Sequence, residues 1–119
     1  MKKNILVIIR TAPYGQSKSK DAIDFILTAA AYDQELHVLF QGDGVFHLLP
    51  NQDPSGIPSK NINKLLSAFE MYEIENIHAD NGSLAQRSMN SATIVPKVQI
   101  SSSEFKQDLI SSADTVLTF

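Results

Sequence analysis

Ile5-Leu6-Val7-Ile8-Ile9 is a run of five consecutive apolar residues, and all but Leu6 are β-branched. Such a run indicates a strand that is covered on both faces, as in a parallel sheet. Further runs with strand character lie at 36–41, 74–79, 93–100 and 115–119. Segments with helical periodicity lie between most of these runs, so the chain alternates strand and helix.

The clearest helical pattern covers residues 19–32, where Ile23, Ile26 and Leu27 follow the spacing of one helix face. Two further helices are predicted at 59–72 and after Ser101, which has capping-box spacing to Glu104. A short helix is predicted at 83–88, and Pro96 predicts that strand 93–100 is short, interrupted or at an edge. The pattern predicts an α/β domain over residues 1–119, flavodoxin-like, with a five-stranded, mainly parallel sheet and helices on both faces.

Composition narrows the function classes. The chain has 119 residues, 43% of them apolar and 19% charged, which is typical of one globular domain. A net charge of -3 argues against direct nucleic-acid binding. The absence of cysteine excludes disulfides, thiolate metal sites and a sulfur nucleophile in this chain. The first apolar run is too short for a signal peptide or a membrane span, so we expect a cytoplasmic protein.

The loop Gly42-Asp43-Gly44 follows the second predicted strand, where open α/β sheets place their working loops. Its backbone N–H groups could receive an anion. However, Asp43 would repel phosphate, and His47 stands where a dinucleotide-binding loop has its third glycine. A small-molecule or anion-binding module therefore remains an alternative, and we interpret the glycines first as residues of a tight turn.

Other polar residues give weaker signals. Asp43 and Asp80 follow neighbouring strands, but no lysine lies near the last strand to complete a receiver-type site, so we interpret both as solvated turn carboxylates. His37, His47 and His78 lack metal-ligand spacing and are interpreted as surface or structural. The sequence predicts no catalytic, cofactor-binding or metal-binding residue, and no enzyme activity.

Apolar residues in and beside the loops indicate a contact surface. The first helix has a wide apolar face, and the turn after Gly44 is apolar up to Pro50. Monomers rarely leave such patches exposed. The predicted subunit contacts are Tyr14, Phe25, Val45, Phe46, Leu48 and Leu49. Tyr72 is a further loop aromatic that could equally cover the core.

Several segments together resemble the sulfur-relay proteins of the DsrE/DsrF/DsrH family, most closely their TusC-type (DsrF-like) members. They are Thr11-Ala12-Pro13-Tyr14-Gly15, the segment from Gly42-Asp43-Gly44 to Pro50, Tyr72-Glu73-Ile74-Glu75, Ser83-Leu84, and the closing Ala113-Asp114-Thr115-Val116-Leu117-Thr118-Phe119. The resemblance covers nearly the whole chain, and its specificity comes from the order and spacing of the segments.

The resemblance implies a cytoplasmic heterohexamer with two copies each of TusB-like, TusC-like and TusD-like subunits. Such a complex passes persulfide sulfur through a TusE-like carrier towards thiolation of the wobble uridine in tRNA. Its DsrF-type relatives serve dissimilatory sulfur oxidation instead. In the family the persulfide cysteine belongs to the TusD-like subunit, and the flanking Ile74-Glu75 and Ser83-Leu84 place the matching position here near Asp80.

A carboxylate can neither form nor transfer a persulfide. We therefore expect a non-catalytic structural subunit that has no cofactor and no direct contact with nucleic acid or membrane. The alternatives are an anion-binding module and a DsrF-type subunit in sulfur oxidation.

Overall fold

The computed structural model describes residues 3–10, 18–31, 35–48, 69, 74, 76–90 and 98–119. The elements in chain order are β1 (Asn4–Ile9), α1 (Lys18–Ala31), β2 (Glu35–Phe40), a 3₁₀ helix (Gly42–Leu48), β3 (Ile77–Asp80), α2 (Asn81–Gln86), β4 (Gln99–Ser101), α3 (Ser103–Ser112) and β5 (Thr115–Thr118). The predicted helix at 59–72 lies outside the described residues except for Phe69, which is helical and buried.

The strands form one five-stranded sheet in the order β4-β3-β2-β1-β5, and all four strand pairs are parallel. The predicted α/β class with a parallel sheet is therefore confirmed. The order differs from the 2-1-3-4-5 order of flavodoxin itself, because here β1 lies between β2 and β5. The chain therefore shares with flavodoxin the α/β class and the placing of helices on both faces of a parallel sheet, but not the strand order.

The direction of the crossovers explains which helices share a face. From β1 to β4 the chain moves steadily across the sheet, and from β4 it returns to the far side of β1. Because crossovers between parallel strands are right-handed, the reversal moves the last helix to the opposite face. Accordingly, α1, the 3₁₀ helix and α2 contribute to one apolar core, and α3 contributes Leu109 to the other.

The apolar run that begins the chain forms the centre of both cores. Ile5, Val7 and Ile9 face the core of α1, while Leu6 and Ile8 face the core of α3. This alternation explains why the run has no polar position. The predicted short strand at an edge is also confirmed, because β4 has only three residues and ends the sheet.

The N-cap of α3 is Ser102, whose Oγ accepts a hydrogen bond from the Phe105 N–H at 3.2 Å. The capping role predicted for Ser101 is therefore wrong by one residue, since Ser101 is buried at the end of β4.

None of the helices in the described ranges has the length and apolar character needed to cross a membrane.

Candidate functional site

The carboxyl ends of the parallel strands bring the 3₁₀ helix, α2 and the start of α3 to the same edge of the sheet, because these elements follow β2, β3 and β4. This is the edge where open α/β sheets place their sites. Four residues form a continuous connection through the three elements: Gly42, Asp80, Ser83 and Lys106.

The glycines of Gly42-Asp43-Gly44 are required by the backbone. Gly42 has a φ of 57°, in the left-handed region that favours glycine. A Cβ on Gly44 would lie 1.9 Å from the carbonyl oxygen of Ile9, so only glycine lets the 3₁₀ helix approach the end of β1 this closely. The interpretation of this loop as a tight turn is therefore supported by its geometry.

The amides of both glycines already have partners within the chain. The Gly42 N–H donates to Ser83 Oγ at 2.9 Å, and the Gly44 N–H donates to the Gln41 carbonyl at 3.0 Å. These two donors are not free to receive a phosphate in this conformation. The exposed carboxylate of Asp43 beside them adds a negative charge.

The carboxylate of Asp80 contacts both α2 and α3 at this edge. It caps α2, because its Oδ2 accepts from the Ser83 N–H at 3.1 Å and from the Ser83 hydroxyl at 2.7 Å. Its Oδ1 lies 3.4 Å from Lys106 Nζ. Asp80 is only 8% exposed, so its interpretation as a solvated turn carboxylate is wrong.

The ionisation of Asp80 follows from these contacts. Burial by itself raises the pKa of the carboxyl, but the hydrogen bonds from Ser83 and the charge of Lys106 outweigh it and hold the pKa below its usual value. The group is therefore a fixed anion at neutral pH. Sequence reasoning missed Ser83 and Lys106, although an aspartate between a predicted strand and a predicted helix is an N-cap signal.

Asp43 forms a second cluster with Arg87 and Phe46. Arg87 donates to Asp43 Oδ1 from Nη2 at 3.0 Å and from Nε at 3.3 Å, and Nη1 donates to the Ser83 carbonyl at 3.0 Å. Its guanidinium carbon lies 6.0 Å from the centre of the Phe46 ring. Arg87 thereby links the C-terminal end of α2 to the 3₁₀ helix.

The predicted contact residues divide into three groups. Val45 and Leu48 are fully buried in the core of α1, so their assignment to a contact surface is corrected: the close approach at Gly44 brings their side chains inside the chain's own core. Phe25 and Phe46 are half-buried and pack against that core, which leaves part of each ring accessible. Tyr14 and Leu49, like Tyr72, lie outside the described residues.

The histidines are structural or half-buried. His47 is 2% exposed and contacts Phe40, with 5.7 Å between the ring centres. His78 is also 2% exposed; it stacks on the half-buried His37 at 5.8 Å and contacts Phe105 at 5.3 Å. No group of three or more potential metal ligands is present in the described part of the chain.

Comparison with known proteins agrees with this architecture. The model of the DsrE/DsrF-like family matches residues 3–119. A protein named TusC homolog from Vibrio parahaemolyticus is 38% identical over 112 residues, which cover 94% of this chain and 95% of that protein. A TusC homolog from Pseudomonas aeruginosa is 27% identical over 118 residues, with 99% of each chain covered.

Two further proteins extend the comparison. The intracellular sulfur oxidation protein DsrF of Allochromatium vinosum is 36% identical over 93 residues, covering 78% of this chain and 68% of that protein. The crystal structure of the YchN protein from E. coli superimposes with a TM-score of 0.82 at 21% identity over the full length of both chains, which shows a shared fold. The chain therefore belongs to the DsrE/DsrF-like family, the sulfur-relay family that its sequence segments resemble.

Proposed function

We propose that this chain is a non-catalytic structural subunit of a cytoplasmic sulfur-relay complex of the TusBCD type. The observation that carries the proposal is the buried carboxylate of Asp80 at the carboxyl end of β3. By the family resemblance, this is the position of the persulfide cysteine in the TusD-like subunit. With a carboxylate at this position and no cysteine anywhere in its sequence, the chain has no sulfur atom that could carry a persulfide.

The surroundings of Asp80 are suited to a carboxylate and equally to a thiolate. The Ser83 amide, the Ser83 hydroxyl and the Lys106 ammonium group would also stabilise a thiolate, because hydrogen bonds to a charged form and a nearby opposite charge favour that form. The carboxylate of Asp80 makes these interactions, but it cannot react as a thiol would. This supports a subunit that retains the local structure of a sulfur site and leaves the transfer to a partner.

The partners of the proposed subunit are TusB-like and TusD-like chains in a heterohexamer. The complex receives persulfide sulfur from an upstream carrier and passes it through a TusE-like protein towards 2-thiolation of the wobble uridine in tRNA. The contribution of this chain is to complete the assembly and to orient the partner's cysteine. Its contact with tRNA is indirect, in keeping with its net charge of -3.

A second candidate is the same structural role in dissimilatory sulfur oxidation. It is favoured by the 36% identity to a relative whose name is intracellular sulfur oxidation protein DsrF. The identity of 38% to a TusC homolog over a larger share of both chains favours the tRNA branch. An anion-binding module receives less support, because the Gly42 and Gly44 amides are occupied within the chain.

The proposal is tested by co-expressing the chain with TusB-like and TusD-like proteins from its own genome and measuring the mass of the product by size-exclusion chromatography with light scattering. We expect one complex with two copies of each chain. A chain that elutes as a monomer beside folded partners would contradict the proposal.

Deletion of the gene distinguishes the two sulfur pathways. In the tRNA branch, deletion abolishes 2-thiouridine in bulk tRNA, and a plasmid copy restores it. In the sulfur-oxidation branch, tRNA thiolation is unchanged and the oxidation of stored sulfur is lost.

A further inference from the structure

Few of the described residues form helical cover for the face of the sheet that carries α3. In the described part of the chain α3 is the only helix on this face, whereas α1, the 3₁₀ helix and α2 share the other. The apolar cluster under α3 consists of Leu6, Ile8, Leu39 and Leu109, with Ala113 packed against it. Parallel sheets are normally covered on both faces, and the described residues supply a single helix to this one.

Large apolar side chains remain exposed on α3 and on the strand β5 that follows it. Phe105 is 42% exposed, and Ile110 and Val116 are each 39% exposed. Phe105 and Ile110 lie on α3, and Val116 is in register with Leu6 of the cluster beneath that helix. We call these three residues the α3 surface. The fourth exposed large apolar residue in the described ranges, Ile100, is in register with Ala79, which faces the opposite core.

Apart from Lys106, the charged residues in α3 and directly after it are acidic. Glu104, Asp108 and Asp114 are all exposed. Lys106 is the only basic residue between positions 98 and 119, and its ammonium group is paired with Asp80. The surface therefore combines an apolar centre with carboxylates that no basic side chain of the same segment neutralises.

We propose that the α3 surface docks a different protein chain whose contact area has an apolar centre and lysine or arginine side chains at its rim. A second copy of this chain would fit poorly, because a two-fold contact presents the same patch from both sides and would bring Glu104 and Asp108 towards their own copies. Apolar burial supplies the affinity and the opposite charges steer the approach. This inference rests on the proposed function, since the partner is another subunit of the relay complex.

The test of the apolar centre compares two isoleucines of nearly equal exposure on opposite faces of the sheet. Ile110→Arg alters the α3 surface, and Ile100→Arg, at 38% exposure against 39%, is the matched control. Each variant is purified, checked for folding by circular dichroism, and titrated with the purified TusB-like and TusD-like subunits. We expect Kd to rise at least about tenfold for Ile110→Arg and to stay within about twofold for Ile100→Arg.

The test of the charged rim compares two exposed aspartates within helices. Asp108→Lys lies on α3, and Asp24→Lys lies on α1 at the other face. We expect Asp108→Lys to slow association about tenfold at low salt and to weaken its dependence on ionic strength, with no such change for Asp24→Lys.

The outcomes separate this inference from the proposed function. Failure of the wild-type chain to form any complex with the two subunits overturns both. A wild-type complex that Ile110→Arg and Asp108→Lys leave intact overturns only the α3 surface. Dimerisation of the isolated chain that Ile110→Arg abolishes would also overturn it, because the occupant would then be a second copy.

Discussion

Lys106 Nζ lies 3.4 Å from Asp80 Oδ1, so the first turn of α3 is tied to the carboxyl end of β3 by an ion pair with a buried carboxylate. The other oxygen of Asp80 accepts from Ser83, whose hydroxyl in turn accepts from the Gly42 amide. One carboxylate thus connects elements that lie on both faces of the sheet. Because of this connection, we expect a substitution at Asp80 to affect the 3₁₀ helix, α2 and α3 together.

We expect Asp80→Ala to lower the free energy of unfolding by about 3 kcal/mol, because it removes an N-cap and leaves Lys106 without its partner. Asp80→Asn should cost about 1 to 2 kcal/mol, since the amide oxygen can still accept from Ser83. Urea denaturation measures both. The control, Asp108→Ala on the exposed side of α3, should stay within about 0.5 kcal/mol.

The effect of Asp80 should also depend on pH. Its pKa is lowered in the folded chain, so its stabilisation is present above the unfolded carboxyl pKa of about 4 and is lost as the pH falls through the folded value. The difference between wild type and Asp80→Ala should therefore narrow in acid. A difference that stays constant down to about pH 2 would mean that packing, rather than charge, explains the loss.

Gly44→Ala should destabilise the chain by about 3 kcal/mol or more, because the new Cβ would lie 1.9 Å from the Ile9 carbonyl oxygen and backbone would have to move. Gly82→Ala is the matched control. It lies within α2 and would meet its nearest atom, Asp80 Oδ2, at 3.7 Å, so it should stabilise by about 0.5 to 1 kcal/mol. Thermal unfolding of the two variants should shift in opposite directions.

His78 is expected to make the chain sensitive to moderate acid. Burial first, and the nearby His37 second, lower its pKa from 6.5 to about 4. Between these values the unfolded chain binds a proton that the folded chain does not, so stability falls as the pH drops, by at most about 3 kcal/mol. His78→Phe should remove this loss of stability in acid. At pH 7 the substitution should leave the free energy of unfolding unchanged or raise it, because both ring nitrogens of His78 are buried without a hydrogen-bond partner.

Phe46→Asp should disrupt assembly with the partner subunits more than folding. The Phe46 ring is half-buried and partly accessible beside Arg87, so the folded chain should lose only about 1 to 2 kcal/mol. Val45→Asp is the contrasting variant, because it places an unpaired charge at a position that is 0% exposed and should prevent folding. Complex formation by Phe46→Asp at wild-type affinity would mean that the Phe46 ring only packs against the chain's own core and makes no contact with a partner.

Asp80→Cys would test whether the site stabilises a sulfur anion. Because the chain has no other cysteine, the introduced thiol is the only one, and its pKa can be read from the pH dependence of alkylation by iodoacetamide. We expect a pKa below the ordinary value of about 8.5 if Ser83 and Lys106 act on a thiolate as they act on the carboxylate. Ser111→Cys, at an exposed position of α3, supplies the reference.

The inner strands of the sheet were predictable because their sequence patterns follow from burial. The run Ile5 to Ile9 is apolar at every position since it faces two cores. Pro96 predicted a strand that is short, interrupted or at an edge, and β4 has three residues and ends the sheet. The strand order was not predictable in the same way. It depends on which strands pair across the sheet, and no local pattern states that β5 lies beside β1.

The site was predicted less completely for two physical reasons. The apolar turn after Gly44 could bury its side chains or expose them, and the choice depends on the approach to Ile9, which is a contact between distant segments. Similarly, Asp80 looks like a turn residue in the sequence, because its burial comes partly from Lys106, which lies beyond the next strand. Residue type and spacing identified the positions, and tertiary contacts determined their roles.

The pairing of β1 with β5 bears on how the chain folds during synthesis. Asn4 hydrogen-bonds to Asp114 across a separation of 110 residues, so the ribosome makes β1 long before its neighbour on this side. Until then one edge of β1, in which Ile5 to Ile9 are all apolar, has no partner, and free edges of this kind promote aggregation. The nascent chain therefore depends on rapid completion, or on a chaperone, to protect the edge of β1 until β5 is made.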